Sequence, residues 1–177
     1  DKIAYLPASD NWWAAGPTGP CGPDTEIFYW VGEGLPPKGS NKGTDSANWM
    51  EIWNNVFMQY NRTDEKTLVP LPKQNVDTGM GLERTNCILQ GKTSVYLTEV
   101  FQPIIHTIEK LSDYTYGTDE EKDRSVRIIA DHIRSAVFIL GDQKGVVPSN
   151  VGAGYVLRRL IRRAVRHGMK LGIEKDF

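Results

Sequence analysis

The chain has 177 residues, a formal net charge of −1, 40% hydrophobic residues and 24% charged residues. This composition is ordinary for a folded globular chain, and no stretch approaches the roughly 18 consecutive apolar residues of a membrane span, so we expect one or two domains and no membrane partner. The two cysteines, Cys21 and Cys87, form no Cys-x-x-Cys pair, which predicts no structural zinc and a cytoplasmic location.

The first half of the chain predicts antiparallel strands. Thr25–Val31 and Trp49–Tyr60 are rich in β-branched and aromatic residues, and Gly32–Asn48 between them has the Gly and Pro content of a hairpin loop. A further short strand is expected at Leu68–Val69. Residues 1 to about 90 are therefore predicted to form an antiparallel sheet.

A segment rich in Gly and Pro precedes these strands. Gly16–Pro23 holds three Gly and three Pro, which predicts a rigid, irregular loop. Tight turns alone would explain it; the alternative is a pocket wall, with Trp13 closing off a small substrate. Cys21 has no histidine near it in sequence, which argues against a role as nucleophile.

The second half changes to helical periodicity. Helices are predicted over 82–89, 96–111, 123–140 and 154–171, with Ser112–Glu121 as a linker or surface loop. We therefore expect an α+β fold in which an all-α domain covers residues 91–177. In the last helix an apolar stripe opposes a basic one. The basic stripe consists of Arg158, Arg159, Arg162, Arg163 and Arg166.

Charge is distributed unevenly along the chain. Residues 1–90 carry 7 basic and 11 acidic side chains, whereas residues 91–177 carry 14 basic and 11 acidic ones. The 143–173 segment holds seven Lys or Arg and no acid. Such a stripe favours a polyanionic partner, although a solvated helix face is the alternative.

Two local pairings are expected in the helical half. Either Ser149 or Asn150 precedes the last helix and would serve as its N-cap. Asp131 stands at helical spacing from Arg127 and Arg134, which predicts an internal ion pair.

The run Val76–Arg84 (VDTGMGLER) combines several features of a ligand site in one predicted turn. A flat ligand can lie on the backbone at Gly79 or Gly81, which have no Cβ. Asp77 can hold an ammonium group, and the planar guanidinium of Arg84 can hold a phosphate. The alternative is a simple turn that opens a helix, because short glycine motifs match by chance.

Polar residues also interrupt the second predicted strand, in Glu51–Asn54 (EIWN). Under strict alternation Glu51 and Trp53 face one side, and Ile52 and Asn54 face the other. These polar residues either lie on an exposed face or have a function. The functional reading makes Asn54 a donor to a substrate carboxylate and Glu51 a ligand of Mg²⁺ or ribose.

Together these segments resemble alanyl-tRNA synthetases across essentially the whole chain. The resemblance rests on NWWAAGPTGPCGPDTEIF, EIWNNVFMQYNR, NVDTGMGLER, RIIADHIRSAVFILGD and GYVLRRLIRRAVRHG, in that order. DTGMGLER is similar to motif 3 of class II synthetases, and Trp12-Trp13 stands where the family has Phe-Trp. The resemblance implies the last part of the class II aminoacylation core in residues 1–90, followed by the start of a helical tRNA-recognition domain in residues 91–177.

The resemblance implies roles in binding the amino acid. Asp77 would pair with the α-ammonium of L-alanine. Asn54 and Trp13 would lie around its carboxylate and methyl group, and Gly79 would line the small side-chain pocket.

The resemblance also implies an ATP site. Arg84 would bind the γ-phosphate, and Gly79 and Gly81 would lie against the nucleotide. Glu51 would hold Mg²⁺. Together with Asp77, Arg84 is the residue expected to act in catalysis.

For tRNA, the resemblance places Asn150 at the G·U pair that identifies tRNA-Ala, while the five arginines of the last helix would contact the acceptor stem. The implied reaction is activation of L-alanine to alanyl-adenylate, followed by transfer to the 3′ end of tRNA-Ala. Motifs 1 and 2 would lie before Asp1, so the chain alone is expected to be inactive. A free-standing RNA-binding module that uses only the arginine helix is the alternative; it would have no use for the Asp77–Arg84 run.

Overall fold

The structure, a computed structural model, describes residues 2–174. It divides the chain into two compact units, one ending at Val95 and the other beginning at Tyr96. The first is built on a sheet and the second on helices. Within residues 2–174, none of the helices has the length and apolar character required to cross a membrane.

The first unit contains a four-stranded antiparallel sheet. Its strands are β1 (Trp12–Ala14), β2 (Gly19–Trp30), β3 (Trp49–Arg62) and β4 (Leu68–Met80), in the spatial order β1-β2-β3-β4. Each strand therefore pairs with its neighbour in sequence. This arrangement confirms the antiparallel sheet predicted from the β-branched and aromatic composition of the first half.

Two sequence predictions in this unit are wrong. Part of the Gly16–Pro23 segment, predicted as a loop, belongs to β2, since Cys21 is paired on both sides, with Ala14 and with Tyr60. The second error concerns β4, which is far longer than the predicted Leu68–Val69 because it pairs with β3 along most of its length. The Val76–Met80 part of the motif is therefore strand, not turn.

The chain turns from strand to helix at Gly81, which is the N-cap of α1 (Leu82–Leu89). Cys87 of this helix is fully buried, and its Sγ donates to the carbonyl of Lys92 at 3.2 Å. Burial raises the pKa of the Cys87 thiol. This cysteine is thus a core residue rather than a reactive one.

The second unit contains helices α2 (Gln102–Ser112), α3 (Glu120–Gly141) and α4 (Gly152–Lys170). Part of the apolar set that recurs at helical spacing is buried, whereas Val137, Leu140 and Val165 of the same pattern are exposed. The buried set includes Ile105, Ile108, Val126, Ile129, Leu157 and Ala164.

The helix ends differ from the predicted ones for identifiable reasons. The region predicted as one helix over 96–111 is a 3₁₀ turn at Val95–Leu97 followed by α2, which has Pro in its first turn. Helix α3 begins earlier than predicted, since the Asp119 side chain accepts from the Lys122 backbone N–H at 2.9 Å. The N-cap of α4 is Val151, without a side-chain cap, so the capping role predicted for Ser149 or Asn150 is wrong.

Candidate functional site

The two faces of β2 differ in exposure, and the less exposed one contains the polar residues of interest. In β2, Ile27 and Tyr29 are each 50% exposed, whereas Asp24, two residues before Glu26, is 8% exposed. Since alternate residues share a face, Asp24, Glu26 and Phe28 lie together on the less exposed side. We call this side the site face.

A β-bulge at Ile52 brings Glu51 onto the site face. Ile27 of β2 pairs with Trp53, but the next residue, Phe28, pairs with Glu51, which leaves Ile52 as an extra residue in β3. Glu51 therefore shares a face with Phe28, and Asn54 shares it through its pairing with Glu26. The prediction that Glu51 and Asn54 face opposite sides is wrong because strict alternation ends at the bulge.

The neighbouring strands add the remaining predicted residues to the site face. In β4, Gly79 pairs with Asn54, and Asp77 pairs with Val56, which is itself the partner of Asp24. In β1, Trp13 pairs with Gly22, two residues before Asp24 on the same side of β2. The register thus places all four predicted amino-acid-binding residues on one face. They are Trp13, Asn54, Asp77 and Gly79.

The two residues predicted for ATP and Mg²⁺ are joined to each other. Arg84, in the first turn of α1, places Nη1 2.7 Å from Oε2 of Glu51. Their side chains are 42% and 27% exposed, respectively. A charge-assisted hydrogen bond of this length at a partly shielded position fixes the guanidinium beside the site face.

Asn54 is held by a carboxylate that the sequence reasoning did not single out. Its Nδ2 donates to Oε1 of Glu26 at 3.3 Å, while its Oδ1 is buried with no hydrogen-bond partner among residues 2–174. Burial raises the pKa of Glu26, and the charges of Glu51 and Asp24 raise it further. A buried oxygen without a partner is costly, so its place on this face points to a ligand.

The remaining residues of the site face are open to a ligand. Asp77 is exposed, and its Oδ1 accepts from the Thr78 backbone N–H at 2.8 Å. A Cβ built on Gly79 would meet no atom within 4 Å. Trp13 is anchored, since its Nε1 donates to the carbonyl of Phe57 at 3.1 Å. The arrangement offers an acidic end, an open backbone and a rigid aromatic wall.

Within residues 2–174 the structure contains no cluster of three or more His, Cys, Asp or Glu side chains placed to hold a metal ion. Magnesium does not require such a cluster, since one or two carboxylates and the phosphates of a substrate commonly hold it. Glu51, a partly shielded carboxylate next to a cation, fits that mode as a single protein ligand.

Sequence reasoning missed Asp24 and Glu26, although a signal for them was present. In the segment DTEIF, residues 24, 26 and 28 alternate with Thr25 and Ile27, so both carboxylates fall on the side that contains Phe28. Their importance emerges only from the cross-strand partners, which a single sequence does not provide.

The second unit contains a separate feature, a groove of about 1090 Å³ along α4. All five arginines of the predicted basic stripe line this groove together with apolar residues and His132 of α3. The apolar lining includes Tyr155, Val156, Leu160, Ile161, Val165 and Met169. Both cationic and apolar side chains therefore line the groove.

Asn150 lies next to this groove through a hydrogen bond. Its Oδ1 accepts from Nη1 of Arg158. Ser149 uses its hydroxyl locally, donating to the carbonyl of Val151 at 3.0 Å. Ser149 is thus bonded to the N-cap of α4, and Asn150 to an arginine in its second turn.

Asp131, for which an ion pair with Arg127 or Arg134 was expected, contacts the residue next to it in the chain. Asp131 Oδ2 lies 2.8 Å from Nδ1 of the adjacent His132. Arg127 donates to the hydroxyl of Tyr116 at 3.4 Å, and the Arg134 guanidinium lies over the ring of Phe138.

Comparison with known proteins identifies the family. The whole chain, residues 1–177, matches the model of the class II (A) tRNA synthetases. The chain belongs to the class II tRNA synthetase family. The family predicted from the sequence motifs is thereby confirmed.

Curated relatives of this synthetase chain are named alanine–tRNA ligase. The protein from Treponema denticola is 59% identical over 180 residues, and that from Treponema pallidum is 54% identical over 178 residues. A more distant relative, from Anaeromyxobacter dehalogenans, is 48% identical over 184 residues. These matches cover 99–100% of the synthetase chain but only 20–30% of the relatives.

Proposed function

We propose that this chain forms part of an alanine–tRNA ligase, in which it binds L-alanine and ATP and supports transfer of the alanyl group to tRNA-Ala. The observation that carries the proposal is the register of the sheet. It gathers Asp77, Asn54, Gly79 and Trp13 on one face, next to the Glu51–Arg84 pair.

The amino-acid end of the site consists of the exposed Asp77 carboxylate and the open backbone of Gly79. Asp77 attracts the α-ammonium, while Gly79 leaves space for a small side chain. Trp13 closes the space with a ring whose position is fixed by its hydrogen bond to Phe57. The site thus offers an acceptor for the ammonium group and room for the methyl side chain of alanine.

Arg84 forms the nucleotide end of the site. Its planar guanidinium binds phosphate oxygens in pairs, which suits the γ-phosphate of ATP. Glu51 is one carboxylate available to Mg²⁺, and bound Mg²⁺ would neutralise charge on the phosphates. Gly81, whose Cβ position lies 2.9 Å from Nε of Arg84, leaves room for that side chain to move.

The proposed reaction needs positioning more than it needs a protein nucleophile. The alanine carboxylate attacks the α-phosphorus of ATP, forming alanyl-adenylate and releasing pyrophosphate. The 3′-terminal ribose hydroxyl of tRNA then attacks the carbonyl carbon of the adenylate, so that the alanyl group passes to tRNA and AMP is released. Asp77 holds the amino acid in place, and Arg84 stabilises charge on the departing pyrophosphate. Selection is limited, because one methylene is worth only about 1–3 kcal/mol against glycine.

The helical unit is proposed to bind the tRNA acceptor stem. An A-form stem presents phosphates and a wide minor groove, and the α4 groove offers five arginines and several apolar side chains to it. We propose that Asn150 reads the G·U pair. Its hydrogen bond to Arg158 would then link base readout to the arginine stripe.

A second candidate function is an RNA-binding module that performs no chemistry. The arginine-lined groove favours it, since phosphate binding alone would explain that surface. The polar site face would then have no purpose.

We also propose that the chain alone does not activate alanine, since the family's motifs 1 and 2 are not among its 177 residues.

Substitution of Asp77 by Asn tests the enzymatic proposal. In ATP–pyrophosphate exchange with the protein at the full length of its relatives, the KM for alanine should rise about 10- to 100-fold, while the KM for ATP stays unchanged. An unchanged KM for alanine would contradict the role of Asp77 and favour the binding module.

A further inference from the structure

Glu26 and Asn54 form a cross-strand pair on the site face. Their Cα atoms are register partners, and Asn54 Nδ2 donates to Glu26 Oε1 at 3.3 Å. The pair is partly shielded from solvent. None of the roles assigned above involves Glu26.

The hydrogen-bonding capacities of the two side chains determine which way the Asn54 amide points. An ionised carboxylate only accepts hydrogen bonds, whereas a carboxamide donates from nitrogen and accepts at oxygen. Glu26 therefore selects the amide orientation in which the Asn54 NH₂ group points toward it. The other end of the amide, Oδ1, is then turned away, and it is buried with no partner within residues 2–174.

We propose that Glu26 is a positioning residue that fixes the Asn54 amide so that Asn54 Oδ1 is presented to the amino-acid substrate. This inference rests on the proposed function, since it requires Asn54 to contact alanine. An oxygen acceptor matches the only hydrogen-bond donor of free alanine, the α-ammonium group. Asn54 would thus bind the ammonium together with Asp77, rather than the carboxylate.

The register between β3 and β4 supports binding of the ammonium group by both Asn54 and Asp77. Gly79 is the cross-strand partner of Asn54 in β4, and Asp77 is two residues away on the same face. Asn54 and Asp77 therefore occupy neighbouring positions on the face where the Gly79 backbone is open. Two acceptors side by side suit an ammonium group, which carries three donors.

Substitution of Glu26 by Gln tests the inference with almost no change of shape. Glutamine can accept from Asn54 Nδ2 or donate to Asn54 Oδ1, so the preference for one amide orientation is lost. In ATP–pyrophosphate exchange at the full length of the relatives, E26Q should raise the KM for alanine about tenfold, with kcat and the KM for ATP changed less than twofold.

The opposite face of the same two strands offers a matched control. Asn55 Nδ2 donates to Thr25 Oγ1 at 3.3 Å, so this pair repeats the geometry one residue along. Thr25→Val removes that hydrogen bond with little change of shape. T25V should leave the KM for alanine unchanged, which separates an effect on the site from a general weakening of the sheet.

A double-mutant cycle shows whether Glu26 acts through Asn54. If it does, E26Q should add less than twofold to the KM of Asn54→Ala, because the amide that it orients is gone. Full additivity would overturn the inference and indicate that Glu26 contacts alanine directly. If N54A raises the KM for alanine but E26Q does not, the inference fails while the proposed function stands. If N54A itself has no effect, the proposed contact of Asn54 with alanine fails first.

Discussion

Arg84 and Glu51 are bound to each other, with Nη1 of the arginine 2.7 Å from Oε2 of the glutamate. Each is also the residue proposed to meet part of Mg·ATP. Entry of a phosphate at Arg84 and of Mg²⁺ at Glu51 would therefore exchange one ion pair for two new ones. This exchange predicts that the two ligands favour each other's binding.

Glu51→Gln tests the exchange. The substitution keeps the shape but removes the charge that holds Arg84, so inorganic pyrophosphate without Mg²⁺ should bind more tightly, by about three- to tenfold. Added Mg²⁺ should increase the affinity for pyrophosphate less in E51Q than in the wild type. Titration of pyrophosphate with and without Mg²⁺ measures both effects, and Arg84→Lys should weaken pyrophosphate binding under both conditions. Equal Mg²⁺ dependence in wild type and E51Q would exclude the coupling.

Gly79→Ala separates a requirement of the ligand from a requirement of the fold. A Cβ at residue 79 meets no atom within 4 Å, so the variant should unfold at the temperature of the wild type or slightly above it. If alanine lies on this backbone, the added methyl should raise its KM at least about tenfold. Thermal unfolding and pyrophosphate exchange are the two measurements. A normal KM would remove Gly79 from the pocket.

Arg162→Ala tests the α4 groove as a phosphate-binding surface. Arg162 is exposed and lines the groove. Its loss should weaken binding of an acceptor-stem hairpin and reduce the slope of log K against log salt by about 0.7–0.9, the value expected for one phosphate contact. Arg62→Ala, at the end of β3, removes the same charge from the sheet unit and serves as the control. An equal change of slope in both variants would mean that net charge, not the groove, sets the affinity.

His167 makes the stability of the helical unit depend on pH. Burial lowers its pKa below the ordinary 6.5, and the neighbouring charges of Lys170 and Arg163 lower it further. Its Nδ1 lies 3.0 Å from Ser125 Oγ of α3. Because the unfolded chain takes up the proton first, stability is full above pH 6.5 and falls as the pH drops toward the lower, folded-state pKa.

The measurement is the unfolding midpoint at pH 7.5 and pH 5.5 for the wild type and for His167→Gln. The glutamine variant should lose part of the acid sensitivity, although it is less stable at neutral pH. Identical acid sensitivity in the two proteins would assign the effect to other groups.

The periodic parts of the fold could be predicted from the sequence, whereas pairing could not. The stripe that contains Val126 and Ile129 predicted the middle of α3, since burial follows helical spacing. Local propensity does not predict the Gly19–Pro23 part of β2 as a strand. This part is a strand because β1 and β3, on its two sides, supply its hydrogen bonds. Tertiary pairing overrides propensity there.

Some residues of the candidate site can be predicted from the sequence, and others depend on how the strands pair. Asp77, Gly79 and Arg84 could be named from the sequence because they stand within one short motif. The partners of Glu51 and Asn54, by contrast, depend on the register between β2 and β3. A single sequence reveals neither where alternation breaks in β3 nor which residue of β2 lies opposite Asn54, so it does not predict the face of Glu51 or the contact with Glu26.

Because Ile52 is an extra residue in β3, it reverses the alternation of side chains between the two faces of the sheet. Trp53–Val56 on one side of Ile52 keep one alternation between the two faces, and Trp49, Met50 and Glu51 on the other side have the reverse. Deleting Ile52 would turn Glu51 to the far side of the sheet, away from Arg84, without altering either residue. One inserted residue thus decides whether the two ends of a strand contribute to one binding surface or to two.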